Sequence, residues 1–311
     1  MAQARNLVMD EVFTHPLGPL PWALSTPDGL LRKTNKAALA AGLLKNVQFN
    51  DSVPKENIGT VIDGMSLVQI INEDRSLFGQ VANNILGMAL REGAMSNRID
   101  VVFDSYNELS IKSSERLLRG EVAGHQLCGS ITSQQIVRQW GNFLAYENIK
   151  TSLISFLVHE WKSEANTRRL EGKVLYSNFG EKCYKIADGV FEEVPLLKCE
   201  QEEADGRLLL HAFHAAQEGY PFVLICLDDT DVLIMALAVT KHVNSRLLIK
   251  MGTRNRTKVV DVNKVAASAG HGVCQALIGL HAFTGCDTAS SNEDDWSDED
   301  EDDEFSGDED D

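Results

Sequence analysis

The stretch that most constrains the fold is Val223–Asp231, Val-Leu-Ile-Cys-Leu-Asp-Asp-Thr-Asp. Here a short apolar run breaks into a knot of carboxylates, and a second apolar run, Val232–Val239, follows at once. A run of this length with β-branched members suits a strand buried on both faces, as in the parallel sheet of an α/β protein. Read as a strand, it delivers Asp229 and Asp231 to its C-terminal end, where open α/β sheets place their ligands. Two carboxylates one residue apart repel each other, yet together they suit a hard cation. The purely structural explanation is a capped turn, because Asp favours helix N-caps and turns. What separates the two explanations is whether other acids converge on the same place.

The pattern recurs along the chain. Ile58–Asp63 is an extended apolar stretch ending in Asp63-Gly64, and Arg98–Asp104 is a β-branched run ending in Asp104. Each is expected to be the strand of a βα unit. Between them, Met65–Leu90 has helical spacing and reads as two helices broken near Asn72–Arg75. Gln134–Ala145 and Lys150–Lys162 read as two further helices, anchored by Trp140, Phe143, Phe156 and Trp161, within a helical insertion spanning about 120–170. Lys173–Ser177, Lys182–Ile186 and Val190–Val194 read as strands, with Asp188-Gly189 as a hairpin turn. A helix beginning at Glu202 carries acids in its first turn, where the helix dipole favours them. Strands at Arg246–Lys250 and Lys258–Val262 and helices near Asn263–Ser268 and Val273–Phe283 complete the pattern, and the last helix runs into Thr284-Gly285-Cys286-Asp287. The expectation is an α/β domain over 51–291 with a central, mostly parallel sheet flanked by helices. Residues 1–50 read as a lead segment with a short helix at Lys36–Leu44, since Pro and Gly punctuate 15–21.

The net charge of −17 is unevenly placed. Residues 292–311 hold fourteen of the 46 acids and no base, which leaves 29 basic against 32 acidic residues in the rest. The tail is expected to be disordered, because it lacks the apolar content to bury a core. As a polyanion it suits a basic protein partner, or competes with nucleic acid for the chain's own basic residues. The longest apolar run, Val232–Val239, is far shorter than a membrane span, and Asp10 and Glu11 interrupt any signal-peptide core. The six cysteines show no Cys-x-x-Cys pair, so the reading is an intracellular chain, nuclear or cytoplasmic, with free thiols and no zinc site.

Two basic or metal-type groupings stand out. After Asp104, Ser110–Arg119 reads as a helix with Lys112, Arg116 and Arg119 at helical spacing, either a solvated face or one that contacts phosphates. His211 and His214 are three apart on the helix after Glu203, either a metal pair or ordinary partly buried histidines.

Taken in order, Val-Ile-Asp63-Gly, Val-Phe-Asp104, Glu202-Glu203-Ala204, Asp229-Thr-Asp231-Val and Gly285-Cys286-Asp287 resemble the flap endonuclease and XPG-like branch of the PIN-domain nucleases. The chain looks closest to PIN-like eukaryotic proteins that share His-Ala-Phe-Thr-Gly-Cys-Asp-Thr, here residues 281–288. The resemblance spans roughly 58–290. It implies a PIN-like fold and a metal-dependent, structure-specific nuclease that hydrolyses DNA or RNA. By it Asp63, Asp104, Glu203, Asp229, Asp231 and Asp287 hold two Mg²⁺ or Mn²⁺ ions, and Lys112, Arg116 and Arg119 steer nucleic-acid phosphates. Two metals held close together demand many hard anionic oxygens, which clustered Asp and Glu supply. The sequence also departs from the family. Gln201 stands where a second glutamate is usual, which leaves Glu202 or Asp205 to replace it, and 173–196 carries an inserted hairpin. The helices that grip duplex DNA in the family have no counterpart between Asp287 and the acidic tail. These departures leave a catalytically inactive nucleic-acid-binding or protein-interaction module as the alternative.

Overall fold

The computed structural model describes residues 36–45, 47, 54, 57–71, 75–105, 130–144, 146–227, 229–252 and 257–283, all within one compact unit, Lys33–Thr284. Lys112, Arg116, Arg119, Asp287 and the acidic tail lie outside the described residues.

Helix α1 (Lys36–Leu44) comes first. The first apolar run is strand β1 (Ile58–Asp63), followed by α2 (Gly64–Ile70) and α3 (Phe78–Glu92). The second run is β2 (Ser96–Val102), which ends two residues before Asp104. Helices α4 (Trp140–Phe143), α5 (Glu147–Trp161) and α6 (Glu164–Arg168) then lead to β3 (Val174–Phe179), β4 (Lys182–Ala187) and β5 (Val190–Glu193). After α7 (Ala204–Gln217) come β6 (Phe222–Cys226) and α8 (Thr230–Val239). Strands β7 (Arg246–Met251) and β8 (Lys258–Asp261) and helices α9 (Val262–Ala269) and α10 (His271–Phe283) close the described chain.

The eight strands form one sheet in the order β5-β4-β3-β2-β1-β6-β7-β8. The five central strands, β3 to β7 in that order, are parallel, and the two edges are antiparallel additions. The α/β, mostly parallel expectation is therefore met. The central strands are buried on both faces, and alternate residues enter two separate cores. Ile62, Ile99, Val101, Leu175 and Leu224 pack with α2, α3 and α5 on one face. Val61, Val223, Ile225, Leu247 and Ile249 pack with α7, α8, α9 and α10 on the other. This explains why the strands read as continuous apolar runs rather than as alternating ones.

The apolar run Val232–Val239 is a helix, not an extension of β6. Asp229 caps it by accepting the Asp231 N–H at 2.8 Å. It is apolar around most of its circumference because α1, α7, α9 and α10 all pack against it. The partly buried Leu39, Leu43 and Leu44 of α1 join the same core, so the helix expected in a separate lead segment is packed into the body.

One helix expectation is corrected. Of the described residues in Gln134–Ala145 only Trp140–Phe143 is helical; the preceding ones form a turn at 133–135 and then run beside the start of α3, with Ile136 bridged to Leu77. Their backbone is used there: Phe78 N–H donates to Gln135 O at 3.0 Å, Gly79 N–H to Ser133 O at 3.0 Å, and Val137 N–H to Ser76 O at 2.8 Å. Tertiary pairing satisfies groups that a helix would have satisfied internally. The hairpin expected around Asp188-Gly189 is present, with Ala187 opposite Val190 and Gly189 at φ 67° in its turn.

Candidate metal centre

Strand order decides where the acids meet. From β1 the chain moves outward to β2 and β3, then returns to place β6 on the other side of β1. The crevice between β1 and β6, at their C-terminal ends, is the topological switch point of an open α/β sheet. Asp63 ends β1, Asp229 follows β6, and Asp104 lies just past β2, the other neighbour of β1.

Each of these acids also meets a backbone need, so the capping explanation holds as far as it goes. Asp63 Oδ1 accepts the Met65 N–H at 2.8 Å at the start of α2. Asp229 Oδ1 caps α8 in the same way. Asp104 Oδ1 accepts the Ala204 N–H at 2.8 Å, and Ser105 N–H donates to Glu202 O at 2.7 Å. Those last two bonds bind the exit of β2 to the loop before α7, and so bring the first turn of α7 into the crevice. Capping fixes how each carboxylate is turned.

What capping does not account for is the charge left in place. Asp261 shows the contrast: it caps α9 through Asn263 and Lys264 N–H, but its carboxylate is also ion-paired with Arg246. Among the described residues, none of Asp63, Asp205 and Asp229 is ion-paired with Lys or Arg. Instead Asp205 and Asp229 face each other and Asp231. One carboxylate oxygen from each of Asp205, Asp229 and Asp231 lies within 4.8 Å of the other two. Burial, and then the neighbouring carboxylates Asp229, Glu203, Asp231 and Asp104, push Asp205 up to about 7. Burial, and then Asp104, push Asp63 up to about 6, against the downward pull of its backbone hydrogen bonds, with Asp229 adding to the rise. Two carboxyl groups, Asp63 and Asp205, that resist ionisation among neighbouring carboxylates are the electrostatic complement of a cation.

The expected ligands divide as follows. Asp63, Asp104, Asp229 and Asp231 occupy the crevice, with Asp231 buried in the first turn of α8. Glu203 is exposed at the N-cap of α7 and lies outside the close triad. Of the two residues left open to replace the carboxylate at Gln201, Asp205 is the one that joins Asp229 and Asp231. Its place one residue inside an amphipathic helix, with Ala204, Arg207 and Leu208 on the buried side, was the available signal.

His211 and His214 have a different use. His211 Nδ1 pairs with Asp100 Oδ1 at 2.7 Å, and His214 Nδ1 with Arg98 Nη1 at 2.8 Å, so His214 accepts there. Arg98 and Asp100 are themselves joined by two 2.7 Å bonds at the centre of β2. Burial alone would raise Asp100, but Arg98 and His211 hold it below its usual range. The two histidines are members of a buried ion-pair network that fastens α7 to the sheet.

The fold and site together define an α/β protein with an open, two-faced sheet and a carboxylate cluster at its switch point. No family model, curated protein or solved structure matches the chain. Four cysteines, Cys183, Cys199, Cys226 and Cys274, are free thiols, and no described helix is long and apolar enough to cross a membrane.

Proposed function

We propose that this protein is a divalent-metal-dependent nuclease of PIN-like architecture that hydrolyses phosphodiester bonds of DNA or RNA. The observation that carries the reading is the meeting of Asp205, Asp229 and Asp231 within 4.8 Å of one another, with Asp63 and Asp104 at the neighbouring strand ends and Asp63 and Asp205 pushed up to about 6 and 7. The donor set is entirely carboxylate oxygen, which suits Mg²⁺ or Mn²⁺ and not a soft metal.

Asp205, Asp229 and Asp231 would hold one ion, and Asp63 with Asp104 a second. When bound, the pair supplies an activated water and neutralises charge on the attacking and leaving oxygens. The chain's own contribution is orientation. The backbone N–H groups of Met65, Ala204 and Asp231 fix Asp63, Asp104 and Asp229 in place before any ligand arrives. In the metal-free protein Asp205, at about 7, keeps its proton on about half of the molecules at neutral pH, whereas Asp63, at about 6, keeps its own only in mildly acidic solution; a bound cation would displace both protons. By the family resemblance, Lys112, Arg116 and Arg119 would bind phosphates along the substrate.

Gln201 in place of a carboxylate favours a second reading, a module that binds metal and nucleic acid without cleaving. One experiment separates the two. Purified protein is incubated with labelled single- and double-stranded DNA and RNA, with Mn²⁺ or Mg²⁺ and with chelator, beside Asp229→Asn. Chelator-sensitive cleavage lost in the variant supports the nuclease; Mn²⁺-dependent binding without cleavage supports the module.

A further inference from the structure

Arg207 lies two residues beyond Asp205 on the inner side of α7, and only 2% of its surface is exposed. A buried cation normally has a carboxylate partner. Among the described residues Arg207 has none; its guanidinium donates to three backbone carbonyls. Nε reaches Gln201 O at 2.7 Å, Nη1 reaches Gly180 O at 2.7 Å and Nη2 reaches Cys199 O at 2.8 Å. Gln201 and Cys199 belong to the loop that leads into α7. Gly180 is the turn between β3 and β4, at φ 58°.

The far side of the same loop is tied to the site by the bonds from Ser105 N–H to Glu202 O and from Ala204 N–H to Asp104 Oδ1. Residues 199–204 are thus suspended between the hairpin turn and the exit of β2, and Asp205 follows directly. In the metal-free protein Asp229, Glu203, Asp231 and Asp104 all repel Asp205. Without a restraint, that repulsion would turn the first turn of α7 away from the crevice. A rigid planar fork that can meet three diverging carbonyls at once is a property of arginine, not of lysine.

We infer that Arg207 is the positioning residue of the acidic centre: by tying the 199–203 loop to the β3–β4 turn, it holds Asp205 opposite Asp229 and Asp231 before any metal binds. The hairpin, an insertion relative to the resembled family, is then part of the support of the site. The inference rests on the metal-centre reading above.

The test measures Mn²⁺ binding to the full chain by calorimetry, for the wild type, Arg207→Lys and Arg207→Met. The sign of the result is informative. If Arg207 acted only through its charge, removing a cation near the acids would tighten Mn²⁺ binding. A positioning role predicts weaker binding, by about tenfold or more for Arg207→Met, the scale typical of lost supporting contacts. Arg207→Lys, which keeps the charge but not the fork, falls between Arg207→Met and the wild type. Hydrogen exchange gives a second readout: in Arg207→Met the amides of 199–205 lose protection while those of β1 and β6 keep theirs. Should Arg207→Met fail to fold, Arg207→Lys carries the test, with Mn²⁺ binding weaker than wild type. Variants that bind Mn²⁺ as tightly as wild type, or tighter, overturn the role of Arg207 alone. A wild type that does not bind Mn²⁺ overturns the metal-centre reading, and this inference with it.

Discussion

Asp205→Asn separates a carboxylate kept for a cation from one kept for the fold. The substitution nearly preserves shape and removes one charge. Asp205 is pushed up to about 7 by burial and by Asp229, Glu203, Asp231 and Asp104, so the folded state binds its proton more tightly than the unfolded chain does. The stabilisation this gives is full below the unfolded value, about 4, and is lost as pH rises through about 7. A rise of about three units corresponds to ~4 kcal/mol at most; because the side chain is only partly buried, solvent screening reduces this to roughly 1–2 kcal/mol. For a folded body of this size, 1 kcal/mol moves the melting temperature by about 2–4 °C. At pH 8 with chelator, Asp205→Asn is therefore expected to melt roughly 2–8 °C above wild type. By pH 5 the gap should narrow to about a third, because the wild-type group is then protonated when folded. Added Mn²⁺ should reverse the order. At a hundred times the dissociation constant it adds about 2.7 kcal/mol to wild type, and less to a variant lacking one ligand. Differential scanning fluorimetry over pH 5–8, with Mn²⁺ and with chelator, reads all of this. A metal-free variant that melts below wild type at pH 8, or equal Mn²⁺ shifts in both proteins, refutes the reasoning.

Three further outcomes follow from other parts of the molecule. A Cβ on Gly64 would lie 2.5 Å from the Phe103 ring, so Gly64→Ala should destabilise by about 1–3 kcal/mol in urea titration through overpacking beside Asp104. Asp100→Asn leaves the buried Arg98 without its carboxylate and should cost about 3–5 kcal/mol in the same assay, far more than an exposed Asp→Asn elsewhere. Lys112→Ala with Arg119→Ala should weaken nucleic-acid binding and flatten the slope of log affinity against log salt by about two; an unchanged slope assigns both to a solvated face.

Much of the fold was legible in the order of residues because burial on both faces leaves an unmistakable mark. Ile58–Asp63, Arg98–Asp104 and the apolar run that opens Val223–Asp231 are short β-branched runs, and the observed strands Ile58–Asp63, Ser96–Val102 and Phe222–Cys226 lie within two residues of them. The aspartates at their exits are visible for the same reason, since an apolar strand rarely continues through a carboxylate unless that group is paired, as Asp100 is with Arg98 and His211 inside β2. The helical spacing of Gln134–Ala145 does not yield a helix over Gln134–Gln139 because the backbone partners there, around Ser76–Gly79, are distant in sequence, and local periodicity carries no record of them.

The sequence by itself determined that strands would end in acids; it did not determine which acids would meet. Asp261, like Asp229, lies at a strand exit and caps the helix that follows, yet only the antiparallel return of β8 against β7 brings it to Arg246 and neutralises it. Asp205 and Glu203 are two residues apart in a row of acids, and the rotation of α7 against the sheet decides which of them faces Asp229 and Asp231. That rotation is fixed by groups of high sequence separation: His211 and His214 on Asp100 and Arg98 of β2, Ala204 on Asp104, and Arg207 on the β3–β4 turn. Burial preferences act residue by residue and can be read along a chain. Mutual repulsion among carboxylates, and its relief by a cation, depend on distances through space, and those exist only once the sheet has set β6 beside β1.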